Sequence, residues 1–175
     1  PDYDWIEQEK PWVIGEFVWT GFDYLGEPTP YNDVWPSRSS YFGIIDLAGL
    51  PKDRYYLYRS RWNTKQPTIH LLPHWNWEGR EGEVTPVYCY TNYPTAELFV
   101  NGKSQGKRTK RTDGEVLDRY RLRWNEVKYE PGEIKVVVYD ANGLKVGEKA
   151  IRTAGKPHHI ELCADRGTGA KERTY

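Results

Sequence analysis

Methionine is missing from all 175 residues, position 1 included, and the chain opens at Pro1 inside what reads as the last turns of a helix over residues 3 to 9, "YDWIEQE". This predicts a piece of a longer polypeptide, so the lack of a basic and apolar leader in "PDYDWIEQEK" says nothing about where the parent protein resides. No apolar run approaches the roughly 20 residues of a membrane helix, which predicts a soluble chain. Cysteine is scarce: Cys89 and Cys163 show neither CxxC nor Cys/His ligand spacing, and one pair defines no disulfide framework, so two free thiols are expected. His70, His74, His158 and His159 share no ligand spacing with them, and neither a metal nor a cofactor is expected. An excess of one charge is missing too. With 25 basic and 25 acidic side chains, no global field favours nucleic acid or a membrane surface.

What the chain has in quantity is aromatic residues, eight Trp and fourteen Tyr among them, enough either to stack on sugars or to fill interfaces. Their setting changes along the chain. "WVIGEFVW" is a nearly continuous apolar and β-branched run, the pattern of a strand covered on both faces. Residues 21 to 40 lose periodicity and gain Gly, Pro, Ser and Asn, which predicts a long loop of the kind that often carries function. In "LPKDRYYLYRSRW" a proline sits at the first turn, and Tyr55, Tyr58 and Trp62 follow at helical spacing. The first 64 residues therefore read helix, buried strand, long loop, helix.

From about Gln66 the rhythm becomes period two. "DRYRLRW" places Tyr120, Leu122 and Trp124 on one face and Arg119, Arg121 and Arg123 on the other, while "EIKVVVY" alternates Ile134, Val136 and Val138. Asn101-Gly102, Asp113-Gly114, Pro131-Gly132 and Asn142-Gly143 supply turn chemistry. Seven short strands fit between 67 and 153, which predicts an immunoglobulin-like β-sandwich without the inter-sheet disulfide, since Cys89 on the second strand has no partner. "AGKPHH" reads as a linker and "IELCADR" as the first strand of a further domain. The fold class expected is mainly β, with units at 1–64, 66–153 and 154–175.

If residues 13 to 19 form a parallel strand, Trp19 emerges at its C-terminal end, where sheets of that kind bind ligands. An indole face suits the C–H face of a pyranose. A core Trp is the competing reading.

"GEFVWTGFDYLGEPTPY" followed by "SSYFGIIDLAGLPKDRYYLYRSRW" resembles the last barrel strand, loop and helix of family 2 glycoside hydrolases, bacterial β-galactosidase-like members especially. "PTIHLLPHWNWEG" and "AELFVNGKSQGKR" are similar to the immunoglobulin-like domain after that barrel. The resemblance implies that residues 1–64 are the end of a (β/α)8 barrel and that the parent is a retaining exo-glycosidase acting on terminal β-linked galactosides or related sugars. It also implies that both catalytic glutamates lie upstream, so the chain alone hydrolyses nothing. Trp19 matches the tryptophan that lines the glycone subsite, with Asp23 and Tyr24 beside it as further substrate-binding candidates. Phe42 stands where some members carry an asparagine near sodium, so no sodium site is carried over. A periplasmic or extracellular bacterial parent is compatible with this resemblance.

Other candidates have simpler explanations. Glu126 in "WNEV" imitates the acid/base motif of the family it resembles, but Trp124 belongs to the alternating pattern of a sandwich strand and Glu126 lies after the last barrel strand instead of before it. Glu16 and Glu27 read as a paired structural carboxylate and a turn residue. His74, Trp75 and Trp77 form either a secondary sugar-binding patch or a packing surface between sandwich and barrel. "GKSQGKRTKR" is basic but brackets a hairpin, so a solvated edge is expected and not a nucleic-acid site. A carbohydrate-binding or purely structural module is the alternative function. Finally, Val13, Ile14, Phe17 and Val18 cannot be covered by this chain's own barrel piece, so residues 1–64 are expected to fold back on the sandwich or to pair with a second copy.

Overall fold

The computed structural model describes residues 12, 14, 15, 17–26, 39–111, 113 and 115–163. The helix expected over residues 3 to 9, most of the loop, and the carboxylates of Glu16 and Glu27 lie outside them.

The chain is mainly β. Helix α1 (Asp53–Trp62) leads into seven strands: β1 (Ile69–Leu72), β2 (Val87–Thr91), β3 (Thr95–Val100), β4 (Lys103–Thr109), β5 (Leu122–Trp124), β6 (Glu133–Tyr139) and β7 (Lys145–Arg152), with a short helix α2 (Val116–Tyr120) before β5. They form two antiparallel sheets, ordered β1-β2-β5 and β4-β3-β6-β7. In the constant-type immunoglobulin arrangement the fourth strand joins the sheet of the first two. Here β4 pairs with β3 instead, because the Asn101-Gly102 turn is a tight two-residue hairpin. Both turn residues have positive φ, 49° and 78°, as the favoured hairpin turn requires.

Period-two patterning translates directly into the core. Ala96, Leu98 and Val100 on β3 stand opposite Val138, Val136 and Ile134 on β6, and all six are buried. Val87 and Cys89 on β2 oppose Trp124 and Leu122 on β5, and these four close the core from the other sheet. Cys89 and Cys163 are both free, the first buried and the second exposed. At the end of the sandwich the Asn101 side chain accepts from Glu133 N at 2.8 Å and donates to Pro131 O at 3.1 Å, fastening the β3–β4 turn to the start of β6.

Helix α1 carries Asp53 in its first turn and Arg59 and Arg61 in its last, favourable against the helix dipole. Pro51 lies ahead of the helix, bridged to Ile45, and not in its first turn. Two faces of the helix are apolar. Leu57 and Tyr56 pack on the sandwich against Tyr90, Leu72 and Tyr120. Asp53 pairs with His70 at 2.7 Å, and the Tyr56 ring stacks on that imidazole at 3.9 Å. Tyr55, Tyr58 and Trp62 form the other face, with Tyr58 and Trp62 stacked at 4.8 Å, and line a hollow together with Ile44.

Three sequence expectations change. The described residues of "WVIGEFVW" form no strand, and Ile14 and Phe17 are fully exposed. A doubly covered strand needs neighbours on both edges and layers on both faces, and the sandwich offers this run neither; these two side chains do not fold back on it. The alternation in "DRYRLRW" is strand only over Leu122–Trp124, since Asp118 to Tyr120 belong to α2. Residues 160 to 163 of "IELCADR" are exposed and extend no sheet. The linker before them is held: Ala154 N donates to Asn76 Oδ1 at 2.6 Å and the Thr153 hydroxyl to Trp75 O at 2.6 Å. Among the described residues no helix is long and apolar enough to cross a membrane.

Candidate functional site

Past the exposed run, residues 20 to 23 lie alongside residues 43 to 45. Ile44 N donates to Thr20 O at 3.1 Å, Ile45 N to Gly21 O at 3.0 Å, and Asp23 N to Ile45 O at 2.9 Å. Gly43 is required where the two segments touch, because a Cβ there would sit 2.2 Å from Asp23 N and 2.5 Å from Phe22 C.

The Asp23 side chain turns inward at this crossing and is almost fully buried. Its Oδ1 accepts from Gly43 N at 2.8 Å, and its two oxygens receive the Lys52 ammonium at 2.8 and 2.7 Å. Lys52 also donates to Tyr41 O at 3.1 Å, and its backbone N–H to Ile44 O at 2.9 Å. Burial of a carboxylate is tolerated when charge and hydrogen bonds compensate it. Asp23 is thus a clamp between the loop and the residue that caps α1.

Above the clamp the backbone of Tyr24 is tied to Ser40 twice, Tyr24 N donating to Ser40 Oγ at 2.9 Å and Ser40 N to Tyr24 O at 2.8 Å. The Tyr24 ring contacts two others. Trp19 meets it edge-on, 6.2 Å between centroids at 79°, and Phe42 is 6.0 Å from it, tilted at 57°. Trp19 itself is 73% exposed. The arrangement is an open indole braced from behind by a tyrosine whose backbone is anchored, and an exposed aromatic fixed in that way can stack on the apolar face of a ring ligand. Three of the sequence candidates, Trp19, Asp23 and Tyr24, therefore meet at one place, in different roles. Lys52 and Ser40 escaped sequence reading; a lysine directly before the acidic first turn of a helix was the available signal.

The second group of candidates divides. Trp75 is fully buried in the sandwich core, edge-on to Tyr129 at 5.1 Å with its Nε1 donating to Glu130 O at 2.9 Å, so it offers no face to a sugar or to another domain. His74 and Trp77 remain near the surface, stacked at 4.2 Å, with the Arg80 guanidinium over the indole at 4.9 Å. Glu126 is exposed in the turn after β5, and β4, carrying most of "GKSQGKRTKR", is an exposed edge strand.

A further polar group sits where the loop after β4 passes beneath α1. The Lys110 ammonium donates to Thr91 O, and burial, reinforced by the charge of Arg61, pulls its pKa down to about 8 against the opposing pull of Cys89. Burial likewise pushes the Cys89 thiol up to about 12. The buried thiol is held neutral, unlike a catalytic thiolate.

Comparison with known proteins gives the family of the chain. The beta-galactosidase BoGH2A of Bacteroides ovatus is 54% identical over 162 residues, 92% of this chain and 18% of that protein. A solved glycosyl hydrolase family 2 member from Bacteroides cellulosilyticus superimposes with a TM-score of 0.75 at 32% identity, covering 89% of this chain and 23% of its own. The chain is a segment of glycoside hydrolase family 2. A beta-glucuronidase of Bacteroides fragilis is 33% identical over 128 residues, 73% of the family 2 segment and 17% of that enzyme. A family model described as a domain of unknown function (DUF4982) matches residues 82–147, from just before β2 into β7. The family 2 segment thus spans less than a fifth of the curated relatives it matches.

Proposed function

We propose that this segment forms one wall of the sugar-binding cleft in a retaining exo-glycosidase of β-galactosidase type, with Trp19 as the platform for the terminal sugar. The observation that carries the reading is the exposed indole of Trp19 braced by Tyr24 and, through the loop, by the Asp23–Lys52 clamp. The similarity to a beta-galactosidase over nearly the whole chain supports the substrate class. Retaining glycosidases use two carboxyl groups about 5 to 5.5 Å apart, one as acid/base and one as nucleophile. In this reading the remainder of the polypeptide supplies both. Residues 1–64 close the barrel that contains them, residues 66–153 form the sandwich behind it, and the hollow lined by Tyr55, Tyr58 and Trp62 is covered by the preceding part of the barrel.

Asp23 contributes by positioning the platform. Its carboxylate oxygens are occupied, so it is a structural support for the subsite and not a group that meets the sugar. The likeness to a beta-glucuronidase favours a second reading of the same site, in which the terminal sugar carries a carboxylate. A stand-alone carbohydrate-binding module resting on Trp75 and Trp77 is disfavoured by the burial of Trp75.

The test is hydrolysis of chromogenic β-galactoside and β-glucuronide by the full-length parent, by its Trp19→Ala variant and by the isolated chain. An inert chain and an impaired variant support the reading. The better of the two substrates identifies the sugar.

A further inference from the structure

The charges of this neutral chain are unevenly distributed. Between residues 102 and 123 there are eight Lys or Arg and three Asp or Glu. The fold brings four of these cations, Arg108, Arg111, Arg121 and Arg123, to one place, because β4 is an edge of the four-stranded sheet, β5 is an edge of the three-stranded sheet, and the two edges lie side by side. Between them runs a groove of about 380 Å³ lined by Gln105, Arg108, Arg111, Arg121, Asn125 and Glu126 among others.

The guanidinium groups differ in what they already do. Arg123 is committed to α2, donating to Asp118 at 2.5 and 3.0 Å and to Glu115 at 2.9 Å. Arg121 lies over the Tyr88 ring at 4.7 Å. Arg111 reaches Asp113 only at 3.5 Å with both side chains exposed, and Arg108 is exposed and makes no ion pair among the described residues. Glu126 and the engaged Asp118 are the carboxylates in the lining, Asp113 and Glu115 border it as the partners of Arg111 and Arg123, and the excess positive charge comes from Arg108 and the exposed Lys103 and Lys107 of β4 beside it. The ring nearest to it, Trp124, is buried in the core with its Nε1 donating to Gly106 O at 2.8 Å, leaving no exposed aromatic in the lining for a base to stack on. Guanidinium groups flanked by the Gln105 and Asn125 amides match a ligand that carries anions and hydroxyls together.

We propose that this groove between the β4 and β5 edges is a second, non-catalytic binding site for an anionic polysaccharide, its carboxylate or sulfate groups held by Arg108 and Arg111 and its hydroxyls by the two amides. The choice of a saccharide over other polyanions rests on the cleft reading above. The site lies on the sandwich, shares no residue with the group around Trp19, and would hold a charged glycan near the enzyme without touching the sugar being cleaved.

The test is affinity electrophoresis of the full 175-residue chain at low salt in gels containing polygalacturonate, sulfated dextran or neutral dextran, with a single-stranded oligothymidylate as a further competitor. Retardation by either anionic polymer and not by neutral dextran is expected, and the polymer that retards more tells carboxylate from sulfate. Arg108→Ala/Arg111→Ala should weaken this on the order of tenfold, the loss expected when two charge-assisted contacts go. Lys149→Ala/Lys156→Ala removes the same charge from exposed positions outside the groove and should leave the affinity within about twofold. Absence of retardation, equal effects of the two double variants, or equally tight binding of the oligothymidylate would overturn the proposal. In the full-length parent, Arg108→Ala/Arg111→Ala should leave hydrolysis of small chromogenic glycosides unchanged, and a loss there would count against it. Failure of the cleft reading would show separately, as a parent inactive on both glycosides.

Discussion

The Asp23 carboxylate and the Lys52 ammonium, 29 positions apart, meet at 2.7 Å with the carboxylate almost completely buried. This one pair joins the segment bearing Trp19 to the residue that begins α1, and α1 in turn is docked on the sandwich. It ties the candidate platform to the rest of the described fold.

Removing one member of such a pair costs more than the pair contributes, because the other member is left without its partner. Asp23→Ala should destabilise the chain by about 1 to 3 kcal/mol, discounted from the fully buried case because Lys52 is partly solvated. Asp23→Asn, which keeps an acceptor for Gly43 N, should cost less. Urea denaturation of both variants checks the order. In the parent, Asp23→Ala should raise KM more than it lowers kcat, since the substrate platform is displaced and the carboxyl pair is not.

Asn101 does two things at the end of the sandwich: it adopts a left-handed backbone conformation, and its side chain ties Pro131 to Glu133. Substitution separates them. Asn101→Gly keeps the backbone preference and loses the side-chain bonds, whereas Asn101→Ala loses both. The unfolding free energy should fall in the order wild type, Gly, Ala, with Ala about 1 to 3 kcal/mol below wild type.

Lys110 and Cys89 give stability an alkaline signature. Lys110 titrates near 8 when folded against an ordinary 10.5, so the unfolded chain binds more protons between those values and stability rises with pH across them. Cys89 titrates near 12 against an ordinary 9.0, so the folded chain holds more protons there and stability falls across that window. The two oppose each other from 9.0 to 10.5. The urea midpoint should therefore rise from pH 8 to 9, level off, and fall above 10.5; Lys110→Met should abolish the rise and Cys89→Ala the fall.

The two thiols should also separate chemically. Cys163 is exposed and Cys89 is buried and neutral. A thiol reagent at pH 8 should modify one cysteine per folded chain at once and the second only on unfolding. Rapid modification of both would contradict the packing of Cys89.

The sandwich was legible because half-burial writes itself into sequence as period two: Leu98 and Val136 face inward where Glu97 and Lys135 do not. The same rule could not separate Trp75 from Trp77, since both indoles fit an alternating stretch and only the position of Tyr129, more than fifty residues on, decides which is core. It misread Asp118 to Tyr120 because three alternating residues also fit a helical turn; what decides there is the Asp118 carboxylate holding Arg123. The run from Trp12 to Trp19 shows the limit from the other side. Its composition specifies burial, but the atoms that would bury Ile14 and Phe17 are not in the sandwich. Of the candidate site, Trp19 and its neighbours were found through resemblance. The clamp to Lys52 was not, because a pairing across 29 residues leaves no local trace.

The proposed function makes Trp19 a wall of the sugar site and assigns the catalytic carboxylates to the rest of the polypeptide. The most direct measurement is kcat/KM for a chromogenic β-galactoside in the full-length parent and its Trp19→Ala variant, beside the isolated chain. Loss of one stacked indole face, about 100 Å² of apolar contact, predicts a fall of roughly 2 kcal/mol, or about thirtyfold, in the variant, and no turnover by the chain. A Trp19→Ala parent with undiminished kcat/KM, or an isolated chain that cleaves the substrate, would contradict the account.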